Sequence, residues 1–80
     1  MRWALHYSRS AVNGLYHQVE RRFVKEVTAA IKALADNPTP MNMQVSEEDP
    51  SIYWIAVPGD YIVFYEIVDE EQFIRILDIE

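Results

Sequence analysis

The chain predicts an α+β domain in the order β-α-α-β-β-β, with a helical hairpin packed on one face of a mainly antiparallel four-stranded sheet. Three observations carry this. The opening residues alternate Trp3, Leu5 and Tyr7 against Ala4 and His6, which is the period of a strand. Phe23, Val24, Val27, Ala30, Ile31 and Leu34 then recur on one helical face. Three β-rich runs follow, at roughly 52–57, 61–68 and 72–79, parted by the turns Pro58-Gly59-Asp60 and Asp69-Glu70-Glu71.

After the first strand, Ser8 or Ser10 can cap a helix. Ala11, Val12, Leu15, Tyr16 and Val19 supply its apolar stripe. Gly14 costs that helix ~1 kcal/mol of propensity against Ala, and its place there predicts close packing on a neighbouring element. The second helix keeps Arg21, Arg22, Lys25, Glu26 and Lys32 largely off its apolar face. Little separates the two helices around Glu20, so they form a hairpin or a kinked pair. Asp36-Asn37-Pro38 ends the second, because a residue before proline leaves the α region. Residues 37–51, with Pro38, Pro40, Pro50 and the run Glu47-Glu48-Asp49, read as a loop. Strands joined by tight turns are antiparallel, and a helical pair between a first strand and a three-strand meander packs on one face of one sheet.

Eighty residues make a single domain, residues 1–80, that buries roughly 60% of its unfolded surface. Half of the residues are hydrophobic, enough for a core. There is no cysteine, which removes disulfides and thiolate metal sites and fits a reducing cytosol. The N-terminal residues lack the apolar core of a signal peptide, and no apolar run approaches the ~20 residues of a membrane helix. A cytoplasmic protein is therefore expected. Thirteen acidic residues against seven basic give a net charge of −6. That field argues against nucleic acid as a partner.

His6 and His17 read as surface or boundary imidazoles, with no ligand set that calls for a metal. Glu47-Glu48-Asp49 and Asp69-Glu70-Glu71 do not match a calcium loop and read as solvated turns. No cofactor is expected. Arg21, Arg22 and Lys25, with Arg9 and Lys32, form either a positive strip or a solvated helix face, and the solvated face is the simpler reading. Arg75, the one basic residue of the meander, is placed to pair across strands with Glu66 or another acid.

The run Tyr53-Trp54-Ile55-Ala56-Val57-Pro58-Gly59-Asp60-Tyr61-Ile62-Val63-Phe64-Tyr65-Glu66-Ile67 resembles the central hairpin of the RelE/ParE toxin superfamily. The usual form there is close to Tyr-Arg-Ile-x-Val-Gly-Asp-Tyr-Arg-Val-x-Tyr-Glu-Ile. Ser8-x-Ser10-Ala11 and Leu34-x-x-Asn37-Pro38-x-Pro40 resemble the family's start and the close of its second helix. The resemblance spans nearly the whole chain and implies the same fold. It implies a toxin of the plasmid-stabilisation type, from a type II toxin–antitoxin module. RelE-like members cut mRNA on the ribosome; ParE-like members inhibit DNA gyrase.

The mRNA cutters grip the scissile phosphate with cations and move protons at the 2′-oxygen and the leaving oxygen. By the same resemblance, their second-strand basic positions fall here on Trp54 and Ala56, and the third-strand arginine falls on Ile62. The lysines before the second strand fall in Met41-Asn42-Met43-Gln44-Val45-Ser46, which has none. The last basic and aromatic positions fall past Glu80. No catalytic residue is carried over. The expected function is a RelE/ParE-like toxin that lacks ribonuclease chemistry and acts by protein binding. The alternatives are a non-toxic interaction or regulatory module derived from a toxin, and a ribonuclease with a different site. Trp54, Ile62, Tyr65 and Arg75 are the candidate partner-binding residues. Their occupant is an antitoxin-like protein or peptide, a second copy or a protein target, with Lys or Arg around its apolar anchors. The competing reading closes Trp54 and its neighbours under the 37–51 loop.

Overall fold

Ser8 ends the first strand and begins the helical layer. In the computed structural model, which describes residues 2–80, β1 (Ala4–Tyr7) stops at Ser8, whose backbone is extended. The Ser8 hydroxyl accepts from the Ala11 N–H at 3.0 Å, so Ser8 rather than Ser10 is the cap. The same hydroxyl donates to the Leu77 carbonyl at 2.7 Å. Helix α1 (Arg9–Asn13) runs straight into a π-helical turn, Gly14–Gln18, closed by the Val19 N–H on the Gly14 carbonyl at 3.0 Å. This wider turn breaks the expected stripe. Ala11 and Val19 are buried and Leu15 half-buried, but Val12 and Tyr16 face outward.

Gly14 is where the first helical segment touches the sheet. A Cβ there would lie 2.8 Å from the Ile79 carbonyl oxygen, so only glycine admits this approach. The chain then turns through Val19 and Glu20 in extended backbone and enters α2 (Arg21–Leu34). Val27, Ile31 and Leu34 are fully buried, while Val24 is half-buried at the margin. The last turn tightens, with Ala35 N–H on the Lys32 carbonyl and Asp36 N–H on the Ala33 carbonyl, both at 3.1 Å.

The sheet has five strands rather than four. Gln44–Val45, inside the expected loop, forms β2 against β3 (Tyr53–Val57), with Gln44 opposite Trp54 and Val45 opposite Tyr53. Two residues are too short a run to show a period of two. What builds the pair is the turn beyond it. Asp49 accepts from the Ser51 N–H at 3.0 Å and the Ser51 hydroxyl at 2.7 Å, and Ser46 N–H reaches the Ile52 carbonyl at 2.8 Å. Those two bonds, the hydroxyl's first, hold the Asp49 carboxyl below its ordinary pKa. With β4 (Tyr61–Val68) and β5 (Phe73–Ile79), the order is β1-β5-β4-β3-β2. β1 runs parallel to β5, and the other pairs are antiparallel.

The β3–β4 turn is fixed to the helical layer. Gly59 and Asp60 have φ of +91° and +64°, the region that glycine and aspartate tolerate best. A Cβ on Gly59 would also strike the rings of Tyr61 and Phe23. The Tyr61 hydroxyl accepts from the Glu20 N–H at 2.9 Å, and its ring meets Phe23 edge-on at 6.1 Å. The Gly-Asp-Tyr sequence thus ties the hairpin to the joint between the helices. Behind it, α2 packs on Ile55, Val57, Val63, Tyr65, Ile74, Ile76 and Ile79.

Two substitutions test this packing by urea denaturation. Leu34→Ala is expected to cost ~2–5 kcal/mol, since Leu34 is fully buried. Gly14→Ala is expected to destabilise despite its ~1 kcal/mol gain in helix propensity, because its Cβ meets backbone that cannot swing aside. Wild-type stability in either variant would place that residue away from the sheet.

Candidate functional site

The face of the sheet away from the helices carries the candidate site. Strand pairing puts Trp54 directly opposite Phe64 and Ala56 opposite Ile62, so these four side chains share that face. Between the pairs Tyr65–Ile76 and Phe64–Asp78, β5 holds one extra residue, Leu77. This irregularity brings both Leu77 and Asp78 to a groove of about 500 Å³ floored by Ile52, Trp54, Phe64 and Leu77. Its rim is acidic: Glu47, Glu48, Asp78 and Glu80. A hydrogen bond with Asp78, and then that residue's charge, push the Glu80 carboxyl above its ordinary pKa. Negative charge is therefore crowded at this end of the groove.

Trp54 and Ile62 lie on this face as expected, each half-buried. The 37–51 segment leaves Trp54 partly exposed. Its later part, Ser46 to Glu48, stands at one side of the groove, while its start turns toward the core. Arg75 is also on this face, in a cross-strand ion pair with Glu66 and 5.3 Å above the Phe73 ring. His6 stacks on the same ring at 4.3 Å.

Tyr65 departs from the expectation. It faces the helices, is 0% exposed, and donates from its hydroxyl to the Pro38 carbonyl at 2.8 Å. Alternation explains the correction: Ile62 and Tyr65 are three apart in one strand and so point to opposite faces. Phe64, two residues from Ile62, is the aromatic that belongs to the site. Leu77 was beyond reach of the pattern, because the extra residue in β5 reverses the alternation there.

The positions where the mRNA cutters would carry cations, Trp54, Ala56 and Ile62, do meet on one surface, and they present indole, methyl and sec-butyl groups. The five strands contain a single Lys or Arg, Arg75, already engaged by Glu66. Among the described residues, no group of three or more His, Asp or Glu is placed to hold a metal ion. No helix among them is long and apolar enough to cross a membrane. Chemically, the surface can bury apolar side chains and attract cations; its one Lys or Arg among the described residues, Arg75, is already engaged by Glu66.

Charge divides along the chain. Residues 1–43 hold six of the seven Lys and Arg and three of the thirteen acids, so residues 44–80 hold one and ten. The groove belongs to the acidic part.

Residues 5–80 match the family model described as the ParE toxin of type II toxin–antitoxin system, parDE. In fold, the chain is similar to the toxin–antitoxin complex RelBE2 from Mycobacterium tuberculosis, with 20% identity, TM-score 0.83, and 100% of this chain and 98% of that chain covered. It is similar to the archaeal RelE–RelB complex from Pyrococcus horikoshii OT3, with 18% identity, TM-score 0.76, and 100% and 94% covered. It is also similar to the intact RelBE toxin–antitoxin complex of E. coli, with 14% identity, TM-score 0.79, and 96% and 93% covered. No curated protein matches the chain in sequence.

Tyr65 gives a pH signature. Burial, and then the neighbouring Tyr53, push its pKa from 10.0 up to about 12. The native phenol keeps its proton where the unfolded one loses it, so its contribution is complete below pH 10 and falls away as pH rises toward 12. Tyr65→Phe is expected to lose about 1 kcal/mol at neutral pH with the Pro38 bond. It is also expected to lose less stability than wild type between pH 10 and 12, as read by urea denaturation across that range. An alkaline profile identical to wild type would mean that Tyr65 titrates freely.

Proposed function

The chain belongs to the ParE toxin family of type II toxin–antitoxin systems, and on that basis we propose that it acts by gripping protein rather than by cutting RNA. One observation carries the reading. Trp54, one of the positions where the resemblance would place a cation for cutting RNA, instead lines an apolar groove with an acidic rim. Indole and aliphatic groups cannot stabilise the extra charge on a phosphate under attack, and the rim carboxylates repel the RNA before any chemistry begins.

The same groove suits a polypeptide. Trp54 and Phe64 offer aromatic surface for a buried anchor, and Glu47, Glu48, Asp78 and Glu80 offer charges to flanking cations. Its occupant is an antitoxin-like segment with Lys or Arg on either side of apolar anchors. Arg75 contributes by holding Glu66 and covering Phe73 rather than by touching phosphate. A chain without cysteine suits action in the cytoplasm.

Purified protein added to translating ribosomes is expected to leave the mRNA intact, while induction in cells arrests growth. Codon-specific cuts that vanish in Arg75→Ala would sink the proposal. An arginine at position 54 restores charge where the cutters have it. Trp54→Arg is therefore expected to weaken binding of a Lys-rich, leucine-anchored peptide by at least ~tenfold, a typical loss for a central aromatic anchor. That binding should also weaken with added salt and at acidic pH, where Glu80, its pKa raised by Asp78, takes up a proton. Isothermal titration at two salt concentrations and two pH values reads all three effects.

A further inference from the structure

The chain has three asparagines, and one of them, Asn13, precedes a glycine. An Asn-Gly pair is where a chain most readily attacks its own side chain, because glycine has no Cβ to shield its backbone nitrogen. Asn37 precedes Pro38, which has no N–H, and Asn42 precedes the bulkier Met43. We propose that Asn13 is a deamidation site held shut by the fold, so that a folded chain is spared and a chain left unfolded is permanently disabled.

The chemistry needs only water as co-reactant. The Gly14 nitrogen bonds to Cγ of Asn13 and gives its proton to water; the Cγ–Nδ2 bond breaks and ammonia leaves. Water then opens the resulting succinimide at either carbonyl. One product is aspartate. The other is isoaspartate, whose main chain is a methylene longer. The side chain does nothing to prevent this, since Asn13 is exposed and its amide makes no capping hydrogen bond. The protection lies in the backbone. Closing the ring brings Cβ of Asn13 and the Gly14 nitrogen to the same side of the Cα–C bond, which turns ψ of Asn13 far from its helical −42°. The Gly14 N–H, which must be freed for attack, is shared between the Ala11 and Ser10 carbonyls. Gly14 is also buried and has no room to swing: a Cβ on it would already lie 2.8 Å from the Ile79 carbonyl oxygen.

The same contacts make the damage irreversible. A methylene added between Asn13 and Gly14 shifts Gly14 off Ile79. It also breaks the register of the bonds that Gly14 donates to Ala11 and accepts from Val19. Either product adds a carboxylate to the cleft that Asn13 and Gly14 share with Asp78 and Glu80, where like charge is already crowded. A chain that deamidates while unfolded cannot rebuild the joint between the helical layer and β5.

This inference is independent of the role proposed for the Trp54 face. The full chain is held in warm neutral buffer, natively and in urea, and samples are returned to buffer without urea over time. Trypsin releases Ser10–Arg21, in which Asn13 is the sole asparagine, and Ala33–Arg75, which carries Asn37 and Asn42. Isoaspartyl methyltransferase with a labelled methyl donor counts the isoaspartate in each. In urea, Ser10–Arg21 is expected to be marked at least ~tenfold faster than in the native chain, where attack waits for unfolding. Ala33–Arg75 is expected to lag behind it. The fraction that refolds, read by tryptophan fluorescence, is expected to fall in step with the marking of Ser10–Arg21. Asn13→Gln closes a ring far less readily and is expected to refold fully after the same time in urea. Its exposed position keeps the fold, which thermal unfolding verifies. The proposal falls if the native chain is marked as fast as the unfolded one, or if Ser10–Arg21 stays unmarked in urea. It also falls if marked chains refold, or if Asn13→Gln loses refolding at the wild-type rate.

Discussion

The Ser8 hydroxyl is where the helical layer is pinned to the sheet. It accepts from the N–H of Ala11, which starts the helix, and donates to the carbonyl of Leu77, 69 residues away. The Leu77 carbonyl belongs to the extra residue of β5, between the pairs made by Ile76 and Asp78. A side chain must satisfy it, because the regular ladder skips that residue. Cap and irregularity therefore depend on one oxygen. From there the first helical segment runs onto Ile79, which only Gly14 permits, and Leu77 turns its side chain to the groove beside Trp54. The packing of one face and the shape of the other follow from the same short region.

The two faces differ in how they meet solvent. The helix-facing side of the sheet is filled by branched aliphatics and Tyr65, and no charged side chain is buried in it. The opposite side is uncovered and half-apolar, edged by carboxylates. An uncovered sheet face with aromatic side chains is costly to keep in water, and acidic edges keep it soluble while restricting what can settle on it. The helical layer has the complementary arrangement, with cations around its own apolar opening.

Much of this architecture was legible in the residues. The α2 stripe worked because one uninterrupted helix keeps its period: Val27, Ile31 and Leu34 are all buried. The Gly-Asp-Tyr turn was legible because positive φ restricts residue choice so strongly. The misses share a cause, a local change of period. The π-helical turn moved Tyr16 out of the stripe, the extra residue in β5 hid Leu77, and two-residue β2 had no period to show. Tyr65 is a different case. Its parity with Ile62 was in the sequence, and counting would have turned it inward. Of the candidate surface, Trp54, Ile62 and Arg75 were legible and Phe64 was within reach. The acidic rim was not, since Glu47, Glu48, Asp78 and Glu80 come together only through the pairing of distant strands.

The parallel partnership of β1 with β5 also governs the moment at which the protein can exist at all. β5 is the strand on which β1 and β4 both depend, and it is made after both of them during synthesis. Until it leaves the ribosome, the helices have no finished surface to rest on, and the Ser8 hydroxyl has no distant carbonyl to meet. The growing chain thus carries bare apolar helices through most of translation, open to chaperones and proteases. A ribosome that stalls anywhere before β5 releases neither a working groove nor a stable fragment. β5 acts as a gate on quality, because only chains that already include it acquire the groove beside Trp54.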